Sequence, residues 1–263
     1  MHPGISRRGF LYDLGRGTLA LAVLGLSACA DPDESLDTVS SATSIPGESN
    51  STTTAPDTTT TTAPPATSGV AWQRVNLGFV SAYIVVRGGE AAIVDTGVEN
   101  SEPDIEAGLI SLGLDWGAVG HVILTHRHGD HQGSLPAVMA AAVDATGYAG
   151  AGDLAAITSP RSLVSVGDGD HVFDLEIIET PGHTPGHISV LSADASLLIA
   201  GDALNGANGG VIGANPQFSP DMDSANRSVK KLAGYRFDTV VFGHGEPVVA
   251  NAATLVAELA ASI

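Results

Sequence analysis

Three imidazoles and a carboxylate fall within six residues of this chain, His126-Arg127-His128-Gly129-Asp130-His131. Neither a helix nor a strand could aim all four at one point, because adjacent side chains diverge in both. A tight loop could. Imidazole with carboxylate suits Zn, Mn or Fe, and four donors exceed what one tetrahedral ion normally takes from a single loop. More donors stand in short polar turns downstream. Thr180-Pro181-Gly182-His183-Thr184-Pro185-Gly186-His187 holds two histidines between prolines and glycines, Gly201-Asp202 follows the apolar run Leu197 to Ala200, and Gly243-His244-Gly245 follows Val240 to Phe242. Each polar residue has a glycine beside it, as close backbone approach requires. Cys29 is the only cysteine, so neither a disulfide framework nor a thiolate site is available, and any ion must be held by imidazole and carboxylate.

The elements that position these residues show in the hydrophobic pattern. Phe79 to Val86 and Glu90 to Val94 read as a hairpin turning at Arg87-Gly88-Gly89. A helix is expected over Glu102 to Leu112, where Ile105, Leu109 and Leu112 keep helical spacing and Gly113 caps the end. Val119 to Leu124 is an apolar strand leading into Thr125-His126, and Gly133 to Val143 reads as the next helix. The second half repeats the scheme: strands near Asp170 to Glu179, Ile188 to Leu191 and Ser196 to Ala200, a helix near Ser224 to Leu232, a strand over Thr239 to Phe242 and a helix over Ala252 to Leu259. Grouped strands with helices between the groups point to an α+β or α/β fold in which two mixed sheets face each other with helices outside.

Taken together, Asp95-Thr96-Gly97, HRHGDH at 126 to 131, TPGHTPGH at 180 to 187, GD at 201 to 202 and GHG at 243 to 245 resemble the metallo-β-lactamase superfamily over Leu77 to Val248. The resemblance implies a four-layer αβ/βα sandwich with the site at the open edge between the sheets. It also implies a ligand set: His126, His128 and His183 for one ion, Asp130, His131 and His244 for a second, and Asp202 between them. Two divalent ions about 3.5 to 4 Å apart can share a hydroxide that is nucleophilic at neutral pH. Two Zn2+ are expected, with Fe or Mn compatible, and Asp130 can both ligate and orient the nucleophile. Asp95 and Thr125, and more weakly His187, are candidates to fix the tautomer of His183; His187 itself is expected to face away from the ions.

Departures from known branches narrow the substrate. The zinc β-lactamases differ at the position of Asp202. Glyoxalase II enzymes share the ligands but add a C-terminal helical region with basic residues, and the quorum-quenching lactonases place a tyrosine where Asn205 stands. The expected activity is hydrolysis of a thioester, lactone or other ester. Two other readings use the same residues: an oxidoreductase like the persulfide dioxygenases, with one iron, and a non-catalytic metal-binding surface lipoprotein.

Composition bounds the rest. A net charge of -18 opposes binding to phosphate backbones and leaves a small molecule as the expected partner rather than nucleic acid. Residues 1–28 have the plan of an export signal, with Arg7 and Arg8 ahead of an apolar run from Leu19 to Leu26. Ser6-Arg7-Arg8-Gly9-Phe10-Leu11 resembles a twin-arginine motif, and Leu26-Ser27-Ala28-Cys29 a lipobox. The expectation is a lipid anchor on Cys29 as the sole membrane contact, at the outer face of a bacterial cytoplasmic membrane. A disordered Ser/Thr/Pro-rich tether is expected over 29–69 and a single domain over 70–263. Oligomeric state leaves no mark in the sequence.

Overall fold

The computed structural model describes residues 69–263. The expected export signal, Cys29 and the tether up to residue 68 lie outside the described residues. The chain begins with three antiparallel strands, β1 (Val70–Asn76), β2 (Ser81–Arg87) and β3 (Glu90–Val94). Gly88 and Gly89 turn between the last two with φ of 61° and 89°, the left-handed pair that matches strand twist in a two-residue hairpin. Parallel pairing then needs crossovers. Helix α1 (Glu102–Ser111) leads to β4 (Val119–Leu124). The short α2 (Gly129–Gln132) and α3 (Leu135–Ala141) lead to β5 (Thr146–Gly150), and a loop leads to β6 (Val164–Val166). These strands lie in chain order in one six-stranded sheet, parallel from β3 onward.

A second sheet takes β7 (His171–Val172), β8 (Leu175–Glu179), β9 (Ile188–Ser192) and β10 (Leu197–Ile199) as antiparallel neighbours. A separate hairpin of β11 (Leu204–Ala207) and β12 (Gly210–Gly213) and helix α4 (Met222–Leu232) then carry the chain to β13 (Thr239–Val241), which joins β10 in parallel. Helix α5 (Ala252–Ser262) follows.

Alternation along the strands divides the apolar residues into three cores. Tyr83, Ala92, Val94 and Ile123 of the first sheet meet Ile177, Val190, Leu197, Ile199 and Val241 of the second. Their alternates Ile84, Ile93, Val122 and Leu124 pack under Ile105 and Leu109 of α1 and Leu135 and Val138 of α3. Ile178, Leu198, Val240 and Phe242 pack under α4 and α5 through Val229, Leu232 and Val256. The result is the expected αβ/βα sandwich, and burial on both faces accounts for the apolar ends of β4, Val122 to Leu124, and of β13, Val240 and Val241.

Two local expectations are corrected. The strand expected over 170–179 breaks at Phe173 and Asp174, whose φ values of 56° and 57° make a tight turn between β7 and β8. The helix expected from Gly133 begins at Leu135 instead. Gly133 N–H donates to Gly97 O and Ser134 Oγ donates to Val98 O, so both residues are tied to the loop after β3 while Pro136 opens the helix.

Candidate metal centre

Directionality brings the donors together. β3 and β4 run parallel, as do β10 and β13, and β8 runs with β10 because each is antiparallel to β9. The segments leaving their C-terminal ends carry Asp95, His126 to His131, His183, Asp202 and His244. All seven sequence-derived ligand positions converge there. His126 Nε2, His128 Nδ1 and His183 Nε2 lie 2.9 to 3.2 Å from one another. Asp130 Oδ2 is 3.3 Å from His244 Nε2 and 3.9 Å from His131 Nε2. Asp202 stands between the two groups, with Oδ1 at 3.4 Å from His131 Nε2 and Oδ2 at 3.3 Å from both His183 and His244.

Hydroxyls and carbonyls behind the rings fix which nitrogen faces inward. Thr125 Oγ1 donates to Asp95 Oδ2, so it accepts from His126 Nδ1 at 3.1 Å. Ser219 Oγ donates to Asn215 O and accepts from His183 Nδ1 at 3.0 Å. His131 Nδ1 donates to Asp95 Oδ2 at 2.8 Å, and His244 Nδ1 to Phe79 O at 2.7 Å. Each assignment turns Nε2 toward the cluster, where it offers a lone pair once the ring is neutral. His131 Nε2 and Asp202 Oδ1 are buried with no hydrogen-bond partner. Buried polar atoms are rarely left so. Two unsatisfied acceptors beside inward lone pairs are a donor set that fits cations, and three overlapping groups of these side chains could each hold one.

His187, expected to face away from the ions, is buried with its ring 5.1 Å from that of His126 and stands in none of the converging donor groups. Both nitrogens are engaged: Nε2 accepts the Asp202 N–H at 3.0 Å, and Nδ1 donates to Thr180 Oγ1 at 2.8 Å. Thr180 passes the bond to Ser189 Oγ, which ends on Ala200 O. This chain fixes the backbone at Asp202. Gly201 (φ 54°) is confined by it, since a Cβ there would lie 2.7 Å from His187 Nε2.

The support for His183 also differs from expectation. Asp95 serves His131 and Thr125, and Ser219 is the partner of His183. Sequence reasoning missed Ser219, a lone serine in an irregular loop. It missed Asp153 too, a fully buried carboxylate that accepts from Arg127 N, Gly186 N and Thr184 Oγ1 and so latches the HRHGDH loop to the TPGHTPGH loop.

Electrostatics separate the two groups. Burial lowers the pKa of His126 and of His128, and takes His183 down to about 4. His131 is raised: burial opposes its charge, but Asp95 and Asp202 outweigh it. Hydrogen bonds to Asp130 and Asp202 push His244 up to about 10, and that to His244 lowers Asp130. Asp202 is lowered despite burial, through His131 and His244. Over the cluster opens a cavity of about 420 Å3, lined on its protein side by Phe79, Asn205, Asn215 and Phe218 as well as donors.

A family model described as the metallo-beta-lactamase superfamily matches residues 75–244, well over half of the chain. The chain belongs to that superfamily. Among superfamily relatives, a hydroxyacylglutathione hydrolase of Cereibacter sphaeroides is 33% identical over 172 residues, covering 62% of this chain and 60% of the relative. A second protein of that name, from Rhodospirillum rubrum, is 34% identical over 162 residues, covering 59% of this chain and 57% of the relative. The chain thus spans about 60% of the length of these curated relatives. In structure, a metallo-beta-lactamase family protein from Thermus thermophilus superposes with a TM-score of 0.60 at 22% identity, covering 74% of this chain and 79% of that one. That likeness speaks to the superfamily fold.

Proposed function

We propose that this chain is a metal-dependent hydrolase of a carboxyl derivative, a thioester, lactone or other ester, working with two divalent cations, Zn2+ before Fe or Mn. One observation carries the reading: a carboxylate, Asp202, stands within 3.4 Å of imidazoles from both donor groups while their lone pairs face inward. His126, His128 and His183 would hold one cation, and Asp130, His131 and His244 the other, with Asp202 shared. When bound, such a pair supplies Lewis acidity for a carbonyl oxygen and a water acidic enough to react at neutral pH. The side chains do the rest. Asp130 faces the cavity and can accept a hydrogen bond from the attacking water, orienting it toward the carbonyl carbon. Asp202 is held ionised, so its negative charge can offset repulsion between two cations. The hydroxyacylglutathione hydrolase relatives support hydrolysis; their substrate is a proposal for this chain only at the level of an activated carboxyl group.

Metal analysis with a panel of thioesters, lactones, esters and β-lactams tests the reading. Two ions per chain with turnover of at least one carboxyl derivative is the expected result. One iron per chain and no hydrolysis would overturn it. We also propose that the protein is exported and lipidated at Cys29, which rests on the sequence of residues 1–29. Cys29→Ala is expected to move the protein from the membrane fraction to the soluble fraction, and unchanged fractionation would sink the anchor.

A further inference from the structure

Two cavities meet at the donor cluster. That of about 420 Å3 opens directly over it; another of about 560 Å3 continues past Ile212 and Pro216 of the β11–β12 region and shares Asn205, Asn215 and His244 with the first. Two phenylalanines line the first cavity, Phe79 at 64% and Phe218 at 57% exposure. The Phe79 ring stacks on that of His244, 6.0 Å between centroids, and its carbonyl holds His244 Nδ1, so its place is set by the site itself. Large apolar rings left in water beside a polar cluster mark a surface that gains by being covered.

Beside the donors, the polar side chains lining the first cavity are the neutral Asn205 and Asn215. Asn205 donates one amide hydrogen to Gly213 O, leaving its Oδ1 for a ligand. Asn215 accepts Gln217 N–H through Oδ1, leaving its Nδ2 hydrogens. Apart from the histidines, the segments forming cluster and mouth, residues 76–81, 126–131, 181–187, 202–219 and 243–246, contain a single basic side chain, Arg127. Its guanidinium faces Asp153 at 3.8 Å. The same segments carry the carboxylates Asp130 and Asp202, besides Glu246, which is paired with Arg74 at 2.8 Å, on a chain of net charge -18. Away from the donor cluster and the cations it would hold, a further carboxylate on a substrate meets no lysine in these segments and no arginine but Arg127, and is repelled by the net charge of the chain.

We infer that the site selects an uncharged ester, thioester or lactone whose apolar arm lies between Phe79 and Phe218, with Asn205 and Asn215 pairing its polar groups, and that it discriminates against anionic substrates such as a glutathione thioester. The bond cleaved rests on the hydrolase reading; the class of molecule held does not. The test uses the zinc-loaded chain and matched pairs of acyl thioesters and esters that differ only in a terminal carboxylate. The neutral member is expected to win in kcat/KM by about tenfold or more, the effect of one lost or repelled contact of about 1.4 kcal/mol. Phe79→Ala and Phe218→Ala should raise KM more than they lower kcat, with a loss that grows from acetyl to octanoyl esters. In parallel, calorimetry measures binding of a neutral alkyl trifluoromethyl ketone and its carboxylated twin. Preference for the neutral ketone without turnover of any ester would sink the hydrolase reading and keep the inference. Turnover with equal or better use of the anionic partner, or Phe variants that treat short and long arms alike, would overturn the inference and leave hydrolysis standing.

Discussion

Protons and metal ions compete for the same nitrogens, and the two donor groups start from opposite ends of that competition. Burial disfavours protons on His126, His128 and His183, whereas neighbouring carboxylates favour them on His131 and keep His244 charged up to about pH 10. An ion entering the first group therefore displaces none, and one entering the second must displace them, so affinity there rises with pH until His244 loses its proton near 10. Titration calorimetry at pH 7 in buffers of different ionisation enthalpy should show one event without proton release and one with it. Ser219→Ala removes the acceptor that holds His183 in its inward tautomer and should weaken the first ion by about 10- to 100-fold, as loss of such a partner typically does. Asp202→Asn keeps the shape but removes the shared charge, and should reduce bound metal toward one ion per chain, with hydrolysis falling alongside. Full occupancy and activity in that variant would end the two-ion reading.

At the scale of elements, the loops hold their donors only because other groups tie the loops to one another. Asp153→Ala breaks the latch between the HRHGDH and TPGHTPGH loops and strands the Arg127 and Gly186 N–H groups, which should cost about 1 to 3 kcal/mol in chemical denaturation. Leu198→Ala in β10, which bears Asp202 at its end, should cost about 2 to 5 kcal/mol by opening a cavity. The donors were legible in the sequence because histidine and aspartate cluster beside glycine at the ends of apolar runs, a pattern that packing alone does not require. Among the strands that were missed, β5 and the β11–β12 hairpin carry weaker patterns. β5 reads Thr-Gly-Tyr-Ala-Gly, and its small residues reflect crowding: a Cβ on Gly150 would meet Gly186 O at 2.1 Å. The β11–β12 hairpin turns at Asn208-Gly209, both at positive φ, but lies among so many small residues that its alternation is lost. Ser219 and Asp153 act through distant partners in the fold, and no spacing within a single chain announces those.

Across the described residues, the two sheets share one apolar layer, joined by Arg87 with Asp174 and Asp194 away from the site and by polar groups at the site itself. The first sheet sends in His126, His128, Asp130 and His131; the second sends in His183, Asp202 and His244. Each proposed ion is therefore ligated from both halves of the sandwich, since His183 joins the first group and His244 the second. Metal that binds only the native arrangement stabilises it by about 4 kcal/mol at a free concentration 1,000 times Kd. For a domain of this size that corresponds to about 8 to 16 °C in Tm. Chelation followed by calorimetry should show that loss, and hydrogen exchange should speed up along β4, β10 and β13 together. An unchanged Tm after complete metal removal would mean that the halves hold without the ions. With such a clasp, the folded population itself reports on metal supply: a chain made where the ion is scarce is the one whose halves open first and whose backbone proteases reach first.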